Sequence, residues 1–395
     1  MSYLKNIILS FVNKPTPDIL SSQTLYEVFF YLNNFVERYS DDLHYVISVI
    51  VDTQLDDGGF DIGYDFQYGP SMSKKSKLEG TSPELLSLTA LSLYESRFPN
   101  HNPRVKPAIR KAVDWILTRL VKTQFGVAIP YAPDSFDGIH ITNATSFCIS
   151  ALSTSAQHFN GVEKANVVSV VESMYDFMHA QLVYETESSA YWPYFYQYAD
   201  ENHKRLINSK VDNYHIAQQL YHHYLAEKYL PNANNRRILE LTSEYLFSKL
   251  DDEYFVPYTI FKGAASGKIH LWGYSSLIPA FVSAYEFGLG DKYKRAAIGV
   301  FEFIKKYCVC EDHFAPIILI NNKKLFDSNF YPRSDAWVLH GISALNNIDS
   351  LSDNWVSFCY KVYSKMKKEK FRGLENHVVT LRMKLFAILV RVVKH

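Results

Sequence analysis

Residue types that can transfer protons recur at the starts of predicted helices in this 395-residue chain. Removing a proton next to a carboxylate requires a base and a group that holds the developing enolate anion. Histidine or tyrosine can act as the base, and asparagine or arginine can hold the anion. The predicted catalytic residues are His215, Tyr214, Asn143, His270, Tyr274 and Arg333.

Aromatic residues are concentrated in the predicted loops, with polar residues beside them at the helix starts. Aromatic faces with polar edges suit sugar rings, which present C–H patches and hydroxyl groups. The predicted substrate-binding residues are Asp57, Tyr64, Glu79, Tyr131, His140, Trp192, Tyr194, Tyr196, Asp212, Trp272, Asp335 and Trp337. Since helix N-termini present free backbone donors and a positive dipole end, a ring of them favours an anionic ligand.

The elements that position these residues are predicted helices in alternation. Helices with a single apolar face begin near Asp41, Arg104, Glu163, Asn235, Asp291 and Ser352. Each is followed by a loop and a helix that is apolar nearly all round; these begin near Gly80, His140, Asp212, His270, Ser334 and Asn376. A helix that is hydrophobic on every side is buried on every side, as in an inner ring. Residues 41–395 are therefore predicted as one domain of six hairpins, and residues 1–40 as a helical extension.

The predicted connections differ in length with their direction. Those leading from a one-faced helix to an apolar helix are long and aromatic, as in LDDGGFDIGYDFQYGPSMSKKSK and FGVAIPYAPDSFDG. Those leading back are short, such as RFPNHN and FGLG. Because long loops in compact domains tend to carry function, the site is expected on the face that the long loops build.

Six outer and six inner helices in alternation resemble the (α/α)6 toroid. This all-α fold is shared by six-hairpin glycosidases, several polysaccharide lyases, uronyl epimerases and the N-acylglucosamine epimerase group. Residues 54–60 (QLDDGGF), echoed by residues 124–126 (QFG), are similar to repeat motifs of terpenoid cyclases and prenyltransferases, which tie helix ends to loops. The chain has no D-x-D-D acid motif and no recognisable prenyltransferase zinc set, so glycans are favoured over isoprenoids.

The favoured interpretation is a carbohydrate-active enzyme that acts on an acidic, uronic-acid-containing poly- or oligosaccharide by proton abstraction. It would be a lyase or a uronyl epimerase, in polysaccharide biosynthesis. An epimerase of free monosaccharides would instead pair His215 with His270 or His340. The first alternative is a glycoside hydrolase, which needs two carboxyl groups; the candidates are Asp57, Glu79, Asp137, Asp212 and Asp335. A non-catalytic glycan-binding toroid is a further alternative, and a terpenoid-cyclase-like enzyme is an outsider.

Charge and cysteine content narrow the partners and the compartment. The formal net charge is zero, so no overall field would draw the chain onto nucleic acid. Four cysteines in so long a chain form no disulfide framework, which suits a reducing compartment. No apolar run reaches the roughly 18 residues of a spanning helix, and the first residues lack a cleavage site. The sequence predicts a cytoplasmic protein.

The sequence predicts no bound cofactor and a peripheral contact between the C-terminal segment and a membrane. Adjacent histidines of the YHHY segment, His222 and His223, point about 100° apart on a helix and would bind one metal ion poorly. No phosphate-binding glycine loop is present, so a nucleotide is not expected. Residues 377–395 combine an apolar stripe with arginine and lysine, which predicts a basic amphipathic helix able to contact the inner membrane face.

Overall fold

The computed structural model describes residues 22–60, 66–67, 75–76, 81–131, 141–194, 210–261, 264–265, 267–320, 323 and 325–369. Within these ranges lie α1 (Ser22–Asn34), α2 (Val36–Asp52), α3 (Thr81–Arg97), α4 (Val105–Leu117), α5 (Thr142–Ser155), α6 (Gly161–Ala180), α7 (Asn213–Tyr229), α8 (Asn235–Ser248), α9 (Leu277–Glu286), α10 (Asp291–Tyr307), α11 (Pro332–Leu345) and α12 (Asp353–Lys368). A single helical turn, Leu271–Tyr274, precedes α9. None of these helices is long and apolar enough to cross a bilayer.

Odd-numbered and even-numbered helices occupy two concentric layers. Every residue of α5 is buried, as expected for a helix enclosed on all sides. Helix α4 buries one stripe, including Val105, Ile109 and Ile116, and exposes the opposite face. The odd helices therefore form the inner layer and the even helices the outer one.

The inner helices form a closed ring. Each packs against the next odd-numbered helix along the chain, and α11 packs against α1. Each outer helix packs against the inner helix that precedes it. The prediction of an all-α (α/α)6 toroid is confirmed.

Helix α1 lies within residues 1–40, the segment predicted as an extension. It completes the ring because it is apolar on nearly every side: Leu25, Val28, Phe29 and Leu32 are all buried. The described hairpins therefore run from inner to outer helix, beginning at α1. The helix predicted to start near Asn376 and the amphipathic segment 377–395 lie outside the described residues.

Short strands lie in the connections that lead from an outer helix to the next inner helix. They are β1 (Phe66–Gln67), β2 (Lys75–Ser76), β3 (Val121–Thr123), β4 (Gly126–Ala128), β5 (Val183–Thr186), β6 (Ser189–Tyr191), β7 (Lys210–Asp212), β8 (Thr259–Phe261), β9 (Ala264–Ala265), β10 (Lys268–His270), β11 (Ile317–Leu319) and β12 (Leu325–Asp327). All lie between an outer helix and the next inner one and pair antiparallel. Because β7 pairs with β8 and β10 with β11, the last three of these connections are joined to one another at the rim.

The segment 54–60 fastens the end of α2 to α4. The Gln54 side chain donates from Nε2 to the carbonyls of Gly58 at 3.0 Å and Ala108 at 2.9 Å. Gly58 has a φ of 101°, and a Cβ there would lie 2.4 Å from the Lys111 carbonyl oxygen. Glycine is therefore required at this turn, and the segment supports the fold as the motif resemblance predicts.

Candidate functional site

The first turn of α7 presents an aspartate and a histidine to the face built by the long connections. Strand β7 ends at Asp212, whose Oδ1 accepts the backbone N–H of His215 at 3.2 Å and so caps the helix. The other carboxylate oxygen, Oδ2, lies 2.9 Å from His215 Nδ1. The Asp212 side chain is 1% exposed and that of His215 is 14% exposed. Asp212 therefore caps the helix and also lies within ion-pair distance of a partly exposed histidine.

Aromatic rings form the walls around His215. Its ring meets Tyr194 edge-on at 4.9 Å and Trp272 at 5.7 Å, measured between centroids. Trp272 in turn lies 6.0 Å from Tyr258 and 6.4 Å from Trp337. Trp272, Tyr258 and Tyr194 are half-buried, so each keeps a surface toward solvent. We call this group of five side chains, with Asp212, His270, Arg333 and Tyr131, the cleft.

Arg333 supplies the positive charge of the cleft. It stands in the first turn of α11, and its guanidinium carbon lies 5.6 Å from the centre of the Trp272 ring. Stacking of this kind holds a guanidinium over an aromatic face while leaving its edge for an anion. Burial raises the pKa of the Tyr258 hydroxyl, as does Asp212, while Arg333 acts in the opposite direction.

A second histidine borders the cleft at the end of β10. The ring of His270 lies 5.4 Å from that of Tyr258. Burial lowers the pKa of His270 to about 4, and Lys268 adds to this effect while Asp212 opposes it. His270 is therefore neutral at pH 7 and can accept a hydrogen bond or a proton.

Tyr131 and Tyr194 complete the wall on the side of α5. Burial raises the pKa of Tyr194 well above 10, with further contributions from Tyr131 and Asp212, so its hydroxyl stays protonated. The backbone carbonyl of Tyr194 accepts the N–H of Thr142 at 3.2 Å, which joins this wall to the start of α5. Asn143 follows directly; it is 4% exposed, and its side-chain oxygen has no hydrogen-bond partner among the described residues.

Three of the predicted site residues lie in the core instead of the cleft. Tyr214 and Tyr274 are fully buried, and their hydroxyls donate to the carbonyls of Val256 at 3.4 Å and Tyr254 at 2.7 Å. Trp192 is fully buried and donates to the Met178 carbonyl at 3.1 Å. The structure therefore places these three side chains in the packed core.

Two of the predicted acidic residues accept hydrogen bonds from backbone N–H groups. Asp335 is buried, and its Oδ1 accepts the N–H of Phe314 at 2.7 Å. Asp57 is exposed in the turn after α2, where it accepts the N–H of Gly59 and pairs with Arg119 at 3.2 Å. The remaining predictions lie outside the described residues: Tyr64, Glu79, Asp137, His140 and Tyr196.

The paired histidines of α7 point into the wall between helices. His222 Nδ1 lies 2.6 Å from the Ser150 hydroxyl, and His223 Nε2 lies 3.2 Å from that of Ser146. Burial lowers both pKa values, that of His223 to about 3. Among the described residues no group of three metal-ligating side chains comes together.

Two residues near the cleft were not predicted from the sequence. Tyr258 lies just before β8, and only the pairing of β8 with β7 brings it beside Asp212. Glu27 lies in α1, where its carboxyl is 2.6 Å from His340 of α11. A signal for Glu27 was present, because it is the one charged residue in the run LYEVFFYL.

Comparison with known proteins identifies the fold class. No family model and no curated protein sequence matches the chain. A cellobiose 2-epimerase from Bacillus thermoamylovorans superposes with a TM-score of 0.63 at 11% identity, over 85% of this chain and 88% of that one. A D-mannose isomerase gives 0.61 at 13%, over 83% and 86%. A GH76 α-mannanase from Bacteroides thetaiotaomicron gives 0.57 at 8%, over 82% of each chain. This chain thus shares the (α/α)6 toroid fold with them.

Proposed function

We propose that this protein is a carbohydrate-active enzyme that removes a proton from a sugar carbon next to a carboxylate. The observation that carries the proposal is the partly exposed His215, whose Nδ1 lies 2.9 Å from Asp212 Oδ2. Its ring contacts Trp272, and the guanidinium of Arg333 lies over the same Trp272 ring. A base held by a buried carboxylate and a fixed positive charge are the two groups that such a reaction needs.

The chemistry follows from the placement of the two groups. His215 Nδ1 faces Asp212, so Nε2 is the nitrogen left to take the proton. The electron pair of the broken C–H bond moves into the carboxylate, and Arg333 stabilises the resulting enediolate. Return of a proton to the opposite face of that carbon gives an epimer. Alternatively, the sugar oxygen on the next carbon leaves and takes up a proton. This elimination forms an unsaturated product and is the reaction of a lyase.

The aromatic walls support a sugar as the substrate. Half-buried Trp272 and Tyr258 offer flat faces beside polar edges, which suit the C–H patches of a pyranose ring. Two of the similar structures are by name an epimerase and an isomerase of sugars. Arg333 supports the acidic class, because a guanidinium beside the aromatic walls can bind the carboxylate of a uronic acid.

A hydrolase is less well supported by the described carboxylates. Of the predicted carboxylates that the structure describes, Asp335 is held by a backbone N–H, Asp57 pairs with Arg119, and Asp212 lies against His215. A glycosidase needs two carboxyl groups flanking the bond, roughly 5 to 10 Å apart.

The test is incubation with acidic and neutral polysaccharides in deuterated water, followed by NMR and ultraviolet absorbance. Deuterium gained next to a carboxylate without cleavage is the result expected of an epimerase. New absorbance from an unsaturated uronate is the result expected of a lyase. New reducing ends with neither signal would replace the proposal with a hydrolase, and no change with any acidic glycan would argue for binding without catalysis.

A further inference from the structure

The centre of the inner ring contains a carboxyl group. Glu27 of α1 is fully buried, and its Oε2 lies 2.6 Å from His340 Nδ1, so one proton lies between them. Burial raises the pKa of Glu27, whereas His340 and Arg333 both act to lower it. Burying a carboxyl group costs several kcal/mol that only good partners offset, so a residue kept here for packing alone would be apolar.

One face of α11 connects this carboxyl to the cleft. Arg333, Trp337 and His340 are spaced by four and three residues, which places them on the same side of the helix. Exposure falls along this face, from half-buried Arg333 through Trp337 at 6% to the His340 side chain at 2%. The Trp337 and His340 rings are stacked at 6.4 Å. The face therefore leads from the cleft to Glu27.

The surroundings of the pair combine close aromatic packing with polar atoms. Phe30 stacks on His340 at 4.5 Å, and Tyr221 of α7 meets it edge-on at 5.2 Å. The titratable groups that face the pair are Tyr26, Tyr221, His222 and Arg333. Glu27 Oε1, the Tyr26 hydroxyl and Trp337 Nε1 are buried without a hydrogen-bond partner among the described residues. Such groups are rare in native proteins and call for an explanation beyond packing.

We propose that Glu27 is a positioning residue of the cleft, which holds the ring of His340 and, through the face of α11 that His340 shares with Arg333, the cationic end of the cleft. The carboxyl group thereby keeps the Arg333 end of the cleft in place, although it does not touch the substrate. This inference rests on the proposed function, because it gives Glu27 its role through the group that binds the substrate anion.

The first part of the experiment needs no substrate. Glu27→Gln keeps the shape and removes the charge, and Glu84→Gln is the matched control, since Glu84 is equally buried on the neighbouring inner helix α3. Histidine and arginine side-chain nitrogens are followed by 15N NMR, with signals assigned from His340→Gln and Arg333→Gln. We expect Glu27→Gln to shift the His340 Nδ1 and Arg333 Nε signals and Glu84→Gln to leave both in place. Unchanged signals in a folded Glu27→Gln protein would overturn the proposal.

The second part uses the substrate that the deuterium experiment identifies. Glu27→Gln should lower kcat by about tenfold or more, displace the pH–rate profile and leave KM within about twofold, as expected for lost positioning. Glu27→Asp, which keeps the carboxyl, should recover part of kcat. Wild-type kcat and an unmoved profile in Glu27→Gln would contradict the positioning role even if the NMR signals shift. If the protein turns over no substrate, the proposed function fails. The NMR result alone then decides whether Glu27 holds His340 and Arg333 in place.

Discussion

Helix α7 carries histidines in two different environments. In its first turn, His215 is 14% exposed, contacts a carboxylate and faces two aromatic side chains of the cleft. Two turns later, His222 and His223 are buried and hydrogen-bonded to serine hydroxyls of α5. The residue type is the same in both places. The position along α7 decides whether the histidine lies at the partly exposed end of the helix or in the buried contact between α7 and α5.

The largest expected effect is the loss of turnover on replacing His215. His215→Ala removes the proposed base, so activity should fall by about 100-fold to 10,000-fold. The free energy of unfolding should fall by about 0.5–3 kcal/mol, the usual range for a point mutation, because the ring also contacts Tyr194 and Trp272. Turnover and urea denaturation measure the two effects.

The matched control for that experiment is His313. Its Nδ1 lies 2.8 Å from Asp312 and its side chain is 13% exposed, yet it packs beside Phe330 outside the cleft. His313→Ala should therefore keep wild-type turnover. Equal losses of turnover in the two variants would show that His215 has no special role in the cleft, and failure of His215→Ala to fold would assign His215 to the core.

A large stability effect is expected at the core tryptophan that stacks on buried His223. Trp192 is fully buried, and its ring lies 4.5 Å from that of His223. Trp192→Ala should lower the free energy of unfolding by about 3–5 kcal/mol, the cost of a large core cavity. Trp272→Ala, at half-buried Trp272 in the cleft, should cost less stability and weaken ligand binding more. The reverse order in calorimetry and binding titrations would place Trp192, not Trp272, in the site.

The buried histidines should make the protein less stable in acid. Their folded pKa values lie below the unfolded value of about 6.5, that of His223 at about 3, so the folded state binds fewer protons. This stability is complete above pH 6.5 and is lost as the pH falls toward 3, by up to about 1.4 kcal/mol per pH unit for each histidine. Urea denaturation between pH 7.5 and 5 measures the slope. His223→Gln should flatten it, and an equal slope in that variant would assign the acid sensitivity to other groups.

The fold could be predicted from the sequence because periodicity records burial. Helices such as α5, apolar or small on every side, and α4, apolar on one, differ in pattern and in layer. Residues 22–34 carry the same pattern and lie in the inner ring, whereas the sequence predicts residues 1–40 as a helical extension and begins the first hairpin with the outer helix near Asp41. Helix starts also brought Asp212, Trp272 and Arg333 to one face, since all inner helices begin at the same rim.

Other parts of the candidate site depend on contacts that periodicity does not record. Tyr214 and His215 are neighbours in sequence, yet one is in the core and the other at the rim, because successive helical residues point about 100° apart. Tyr258 reaches the cleft through the pairing of two strands from different connections. The contact between Glu27 and His340 joins residues 313 positions apart, which only closure of the ring brings together.

The smallest expected effect tests the boundary of the cleft. Asp57 was predicted to bind substrate, but it lies in the turn after α2, where its side chain is 43% exposed and pairs with Arg119. Exposed ion pairs contribute about 0–1 kcal/mol, so Asp57→Asn should change the free energy of unfolding by no more than that. Substrate affinity should stay at the wild-type value, since the carboxylate of Asp57 is held by the Gly59 N–H and by Arg119. A clear loss of affinity, measured by titration with the substrate, would extend the cleft across the rim to α2 and show that the site is wider than the ring of residues around His215.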